Sequence, residues 1–288
     1  MLEKIFSNIS LVFHPILINA FVFYKQDTIV HENWGDDINY YFLKEVCKRP
    51  IEIFNRVSLA FRLNLKNYLV IGSTIDMLCR KNTEVWGAGI IDGTKKLRYK
   101  PKKVYAVRGP LTRKVLLAQG VKCPEIYGDP ALLVAKYYQP KIEKKYKYGF
   151  IAHVSNLDKI RDFTMNGIAI SDRKDILIID LSKYIRWTDI PDMICSCENI
   201  ISSSLHGLIM AEAYNIPNVW IEFGKPLIGG HFKFHDFFQS IGKDREQPLC
   251  IVGNMIDENH IMRKLDKWKP GNIDIELLIK ACPFRLKL

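Results

Sequence analysis

Ser202, Ser203, Ser204, Leu205, His206 and Gly207 follow one another between a short apolar run at 199–201 and an amphipathic stretch that opens at Leu208. Three hydroxyls, a row of backbone N–H groups and an imidazole at a strand-to-helix turn make a donor-rich cradle for an anion, phosphate above all. An unperturbed histidine titrates near neutrality, so His206 can also move a proton. A serine nucleophile is not expected, because the Gly-x-Ser-x-Gly elbow is absent. Glu212 comes six residues after His206, about 240° around a helix, so the two need not face one ligand.

Three other junctions carry related chemistry. Arg108 leaves an apolar strand directly, and Pro110 suits the first turn of the helix that follows. Arg108 and Thr112 would face an anion at that helix N-terminus, with Arg113 one turn further in. The competing explanation is an arginine paired with an acidic neighbour such as Asp129. Asn33, Gly35, Asp36 and Asp37 precede an amphipathic helix at 38–46. The two carboxylates either cap that helix or hold a ligand hydroxyl. Gly87 and Gly89 form a Gly-x-Gly turn that lets backbone approach an anion, a weak signal without the rest of a dinucleotide fingerprint. Lys233 lies in an aromatic-rich segment, 232–238, that can line a cleft. No histidine or cysteine spacing fits a metal centre, Cys195 and Cys197 being too close together.

Placing four such junctions side by side takes alternating strands and helices. Apolar runs at 68–72, 84–89, 103–107, 149–154, 175–180, 199–202 and 218–221 predict strands, with helices at 108–120 and 206–214 among the intervening stretches. The pattern is that of βαβ units and parallel sheets. The basic, polar segment 137–148 is the best linker. The fold class expected is therefore α/β, with two tandem Rossmann-like domains at 1–140 and 148–270 facing a cleft, where ligands sit outside the carboxyl ends of the strands. Residues 271–288 predict a helix that packs back onto the first domain. At the N-terminus we expect an amphipathic helix around 3–12 and a core strand near 16–24. A helix docked on a membrane surface is the alternative there, and the features of a signal peptide are missing.

Composition narrows the class of function. The chain has 48% hydrophobic and 25% charged residues, which excludes disorder. Seven scattered cysteines do not form a disulfide framework and indicate a cytoplasmic protein. A net charge of +11 points to an anionic partner. No RNA- or DNA-binding motif accompanies it, so nucleic acid is not the expected one.

The quoted segments together resemble the polysaccharide pyruvyl transferase family. The matching pieces are N-W-G-D-D at 33–37, V-W-G-A-G-I-I at 85–91, A-V-R-G-P-L-T-R at 106–113 and G-D-P-A-L-L at 128–133. They continue with S-S-S-L-H-G-L-I-M-A-E-A-Y-N-I-P at 202–217, F-K-F-H-D-F-F at 232–238 and L-I-K-A-C-P-F at 278–284. The resemblance implies a fold similar to B-type glycosyltransferases. It also implies transfer of the enolpyruvyl unit of phosphoenolpyruvate onto two hydroxyls of a sugar, giving a cyclic ketal and phosphate. No cofactor beyond that donor substrate is implied. The acceptor would be a capsule or exopolysaccharide precursor, often lipid-linked, at the inner face of the cell membrane. For that chemistry His206 is the expected general acid or the proton donor to the leaving phosphate, Arg108 is expected to hold the donor's carboxylate or phosphate and the 202–207 turn its phosphate, and Asp36 or Asp37 to orient or deprotonate the acceptor. One departure stands out. Some members carry arginine two residues before the histidine, where this chain has Ser204, so that phosphate contact is expected from the serine cluster or from Arg108, Arg113 or Lys233. Two other functions fit the same fold: a glycosyltransferase using a sugar nucleotide, and a non-catalytic glycan- or membrane-binding protein.

Overall fold

The computed structural model describes residues 10–26, 28–223, 227–243, 247–272 and 274–287, the side chain of Arg161 excepted. Two five-stranded parallel sheets form its core. The first comprises β1 (Ile16–Ile18), β2 (Ile51–Ile53), β3 (Asn67–Leu69), β4 (Thr83–Trp86) and β5 (Lys103–Ala106), in the order β2-β1-β3-β4-β5. The second comprises β6 (Tyr146–Ile151), β7 (Ile176–Ile178), β8 (Cys197–Ser202), β9 (Asn218–Phe223) and β10 (Leu249–Ile251), in the order β7-β6-β8-β9-β10. The two orders are the same relative to the chain. Each reverses direction between its first and third strands, and that reversal opens a crevice at the carboxyl ends. β1, Ile-Leu-Ile and buried along its whole length, is apolar on both faces, as parallel sheets covered on both sides require.

Seven helices matter to the argument: α1 (Trp34–Val46), α2 (Pro110–Ala118), α3 (Asp189–Cys195), α4 (Leu205–Ala213), α5 (Phe232–Ser240), α6 (Glu258–Leu265) and α7 (Ile275–Lys280). Residues 138–145 join the two sheets without regular structure. The tail returns to the first sheet. Trp86 Nε1 donates to the Leu278 carbonyl at 2.8 Å, Phe284 packs edge-on to Tyr68 and Trp86, and Leu286 bridges Cys47. The tail is helical only over α7, so the expected helix is shorter than its pattern.

The N-terminal expectation changes more. Residues 3–9 of the expected helix lie outside the described residues, and Ser10–Phe13 is a 3-10 turn. The expected strand at 16–24 divides in two. β1 stops at Ile18 because Asn19, buried, turns its Nδ2 to the Leu78 carbonyl at 2.8 Å. Phe23–Lys25 then pairs antiparallel with Thr28–Val30. No helix among the described residues is long and apolar enough to cross a membrane.

Candidate active site

The crevices of the two sheets meet at His206. It occupies the second position of α4, directly beyond β8. Ser202 Oγ accepts from the Ser204 N–H and donates to its carbonyl, both at 3.0 Å, which closes the turn before the helix. Ser203 Oγ accepts from the His153 N–H at 3.0 Å, tying the ends of β6 and β8 together. Gly207 is required here, since a Cβ would lie 2.5 Å from Ser202 Oγ. Leu205 turns into the core. The opening N–H groups of α4 lack intrahelical acceptors, as at any helix start, and face the crevice.

From the first sheet, Gly35 and Gly72 come up against the imidazole. A Cβ on Gly35 would sit 1.9 Å from His206 Nδ1, and one on Gly72 3.8 Å from its Cε1 and 3.7 Å from Asp36 Oδ1. Gly72 also has φ +96°, which favours glycine. Gly35→Ala is expected to leave α1 formed, since alanine favours helix, but to displace the ring and cut turnover about ten- to hundredfold. Circular dichroism and steady-state rates check both halves.

Asn33 caps α1. Its Oδ1 accepts from the Gly35 N–H at 3.2 Å and its Nδ2 donates to Asp36 Oδ2 at 2.7 Å. Asp36 therefore points into the crevice, while Asp37 turns away to accept the Tyr184 hydroxyl at 2.6 Å and His31 Nδ1 at 3.4 Å. Both carboxyls are raised by burial, Asp36 to about 7 and Asp37 to about 6. Asp129, which accepts from the Gly72 and Ala131 N–H groups, is raised by burial to about 6. Lys233, on α5, is pushed down to about 8 by burial and then by Arg108, with Asp36 partly offsetting. His206 is pushed down to about 3 by burial and then by the charges of Lys233 and Arg108, so its ring is neutral at pH 7. Its Nε2 is buried and has no hydrogen-bond partner among the described residues.

The raised Asp36 has a consequence for stability. A folded acid with a raised pKa keeps a proton that the unfolded chain releases. Its stabilising contribution is complete below pH 3.8 and lost as pH rises through about 7. The full displacement corresponds to about 4 kcal/mol, and the carboxyl keeps some solvent contact. Asp36→Asn is thus expected to stabilise the fold by about 1–2 kcal/mol at pH 8 and by almost nothing near pH 3. Denaturant melts at the two pH values test this.

Arg108 takes a different place from the one expected. It is 0% exposed. Its Nε donates to Asp236 Oδ2 at 3.0 Å, its Nη2 to the Ile90 carbonyl at 2.8 Å, and its Nη1 to Ser73 Oγ. Asp236 also accepts from the Thr112 N–H at 2.8 Å and Oγ1 at 2.7 Å. Arg108 and Thr112 do meet an anion at the start of α2, but it is the protein's own carboxylate, and it is Asp236 rather than Asp129. Gly89 makes room for that guanidinium, a Cβ there falling 2.3 Å from Arg108 Cζ, and Gly87, at φ +89°, packs on Pro130. In this structure the atoms that pack on the Gly-x-Gly turn are those of Arg108 and Pro130. Arg113 faces outward, donating to the Cys123 carbonyl and pairing with Glu125. Glu212 lies away from the crevice, where it binds Lys243 at 2.6 and 2.7 Å and Asn218 at 2.8 Å.

Three residues of this crevice, Ser73, Thr74 and His153, carry no motif in the sequence, and a fourth, Asp236, stands out there only as part of the segment 232–238. Ser73 and Thr74 follow β3, and the Thr74 hydroxyl is buried without a partner among the described residues. His153 follows β6 and is pushed down to about 4 by burial and then by Lys233. Asp236 holds Arg108. Their signal was position alone: polar residues just beyond apolar strands, and one acid three residues after Lys233 on an aromatic helix.

A family model described as polysaccharide pyruvyl transferase matches residues 28–224. An uncharacterized protein of Acanthamoeba polyphaga mimivirus is 29% identical over 219 residues, 75% of this chain and 73% of its own length. The succinoglycan biosynthesis protein ExoV of Rhizobium meliloti is 28% identical over 218 residues, 74% of this chain. Those residues are 62% of the Rhizobium protein, so the chain spans less than two thirds of that relative. No solved structure matches.

Proposed function

The chain belongs to the polysaccharide pyruvyl transferase family, and on that premise we propose that it transfers the enolpyruvyl unit of phosphoenolpyruvate to two hydroxyls of a sugar. The observation that carries this reading is the buried, neutral His206 imidazole, its Nε2 without a partner among the described residues, with Lys233 close enough to act on its charge and Asp36 beside it at Gly72. The donor brings close to three negative charges in a small volume, which Lys233 and the opening N–H groups of α4 are suited to take. Serine hydroxyls at Ser203 and Ser204 add donors where relatives carry an arginine.

The reaction needs a proton on the methylene carbon of the donor. That gives an oxocarbenium-like centre at its neighbouring carbon. A sugar hydroxyl adds there and releases its proton, the carbon–oxygen bond to phosphate breaks, and the second hydroxyl closes the ketal while losing its own proton. In this proposal His206 delivers the proton, or protonates the leaving phosphate, and Asp36 accepts one from the acceptor hydroxyl. Asp36, raised to about 7, is poised for that task near neutral pH. Arg108 becomes a positioning residue that sets α5 and hence Lys233.

The two-sheet architecture supports a likeness to B-type glycosyltransferases. The acceptor in this reading is a precursor of a surface polysaccharide, such as a capsule or exopolysaccharide, carried on lipid at the cytoplasmic face of the membrane. Calorimetric titration with phosphoenolpyruvate tests the proposal, with UDP-sugars as comparison. Saturable phosphoenolpyruvate binding that Lys233→Ala weakens is the expected result. Binding of a sugar nucleotide with no response to phosphoenolpyruvate would overturn it in favour of glycosyl transfer.

A further inference from the structure

The positive charge of the chain is not spread evenly. Residues 93–124 hold ten Lys and Arg and no Asp or Glu, against a net charge of +11 for all 288 residues. Three of the ten are matched by carboxylates from outside the stretch: Lys95 by Asp92 at 3.5 Å, Arg108 by Asp236 at 3.0 Å and Arg113 by Glu125 at 3.5 Å. Lys100, Lys102, Lys103 and Lys122 are exposed and have no ion-pair partner among the described residues. They border one open groove of about 680 Å³ between the loop that leads into β5 and the turn that follows α2. Lys103 Nζ lies over the Tyr105 ring at 4.3 Å. Exposed Lys96, Arg98 and Lys114 extend the same basic stretch.

β5 is the edge strand of its sheet, and edge strands carry lysine against sheet-to-sheet pairing. That accounts for Lys103 alone, since the other three come from the flanking turns. Four unpaired ammonium groups around one groove repel one another, and only an outside anion relieves them. We infer that this face docks on an anionic lipid leaflet, with phosphate headgroups seated among Lys100, Lys102, Lys103 and Lys122. Basic clusters of this size gain affinity for anionic membranes by a roughly constant factor for each lysine. Lys103 opens β5 and Arg108 follows its end, so the groove and the candidate active site lie at opposite ends of one strand, about 13 Å apart along it. A docked leaflet therefore leaves the crevice open, and the inference is independent of the proposed reaction.

Co-sedimentation with vesicles tests it, comparing phosphatidylcholine alone with phosphatidylcholine containing phosphatidylglycerol. Wild type is expected to bind only the anionic vesicles, and less at high salt. The quadruple variant Lys100→Glu, Lys102→Glu, Lys103→Glu and Lys122→Glu is expected to lose at least about a hundredfold in affinity, at about fivefold per lysine removed. Reversing Lys141, Lys145, Lys267 and Lys269, exposed lysines outside this stretch, changes net charge equally and is expected to cost less than about tenfold if the groove, not the total charge, governs docking. Equal loss in both variants, or no binding of wild type to anionic vesicles, overturns the inference. So does tighter binding to single-stranded RNA than to vesicles at the same salt. Unchanged phosphoenolpyruvate titration in the groove variant shows that it is folded and separates this outcome from any failure of the pyruvyl-transfer reading.

Discussion

His206→Ala lowers turnover by about 10²-fold or more while moving the thermal midpoint by no more than a few degrees. The two halves of that expectation have one cause. His206 is buried, and its Nε2 has no partner among the described residues. An unsatisfied buried polar atom costs about 1–3 kcal/mol, and the substitution relieves that cost while losing the packing of the ring. A residue kept at the expense of the fold is kept for what it does with a ligand. The ring begins neutral at pH 7, because burial and then Lys233 and Arg108 hold it near 3. It can deliver a proton only after acquiring one, and an anion arriving beside it supplies the stabilisation for that. Phosphoenolpyruvate binding at pH 7 is thus expected to take up protons in wild type and fewer in His206→Ala, read by titration in buffers of different ionisation heat. Affinity should fall above pH 8 as Lys233 loses its proton. Wild-type turnover in the variant, or the same proton uptake, sinks the assignment.

The parts of this site that were legible in the sequence are those whose local pattern matches their tertiary role. The apolar run in β8 and the polar turn after it place His206 at a strand end without any knowledge of the fold. The helix expected at 38–46 with Asp36 or Asp37 as its cap instead opens at Trp34 with Asn33 as the cap, and the two acids fall in its first turn. What local pattern cannot carry is pairing across the two sheets. Arg108 read as a free cation because its partner, Asp236, is 128 residues away. Glu212 sits on the same helix as His206, yet helical rotation turns it toward Lys243. The apolar stretch at 16–24 gave no sign of its break, because Asn19 satisfies itself through a carbonyl of a distant turn. At Gly87 and Gly89 the spacing points to an anion, and the atoms that come close are those of Pro130 and the Arg108 guanidinium, which spacing alone does not distinguish from a ligand.

Arg108→Met is expected to destabilise the fold by about 3–5 kcal/mol, and Asp236→Leu by a similar amount, because each leaves its partner charged and buried alone. Both side chains are 0% exposed. The double variant Arg108→Met with Asp236→Leu should recover much of the loss, since no charge is then stranded. Urea melts of the four proteins give the coupling directly. Arg108→Lys should fail to rescue, because one ammonium cannot serve Asp236, Ser73 and the Ile90 carbonyl in the fixed geometry of a guanidinium. The double variant also separates the two roles open to Arg108. If it acts only by holding α5, and through it Lys233, phosphoenolpyruvate affinity returns as far as the fold does. If the guanidinium touches the donor, the refolded double variant stays unable to bind it. The complete burial of Arg108 and its engagement by Asp236, Ser73 and Ile90 favour the first outcome. Lys233, three residues before Asp236 on the same helix, is then the cation that meets the ligand.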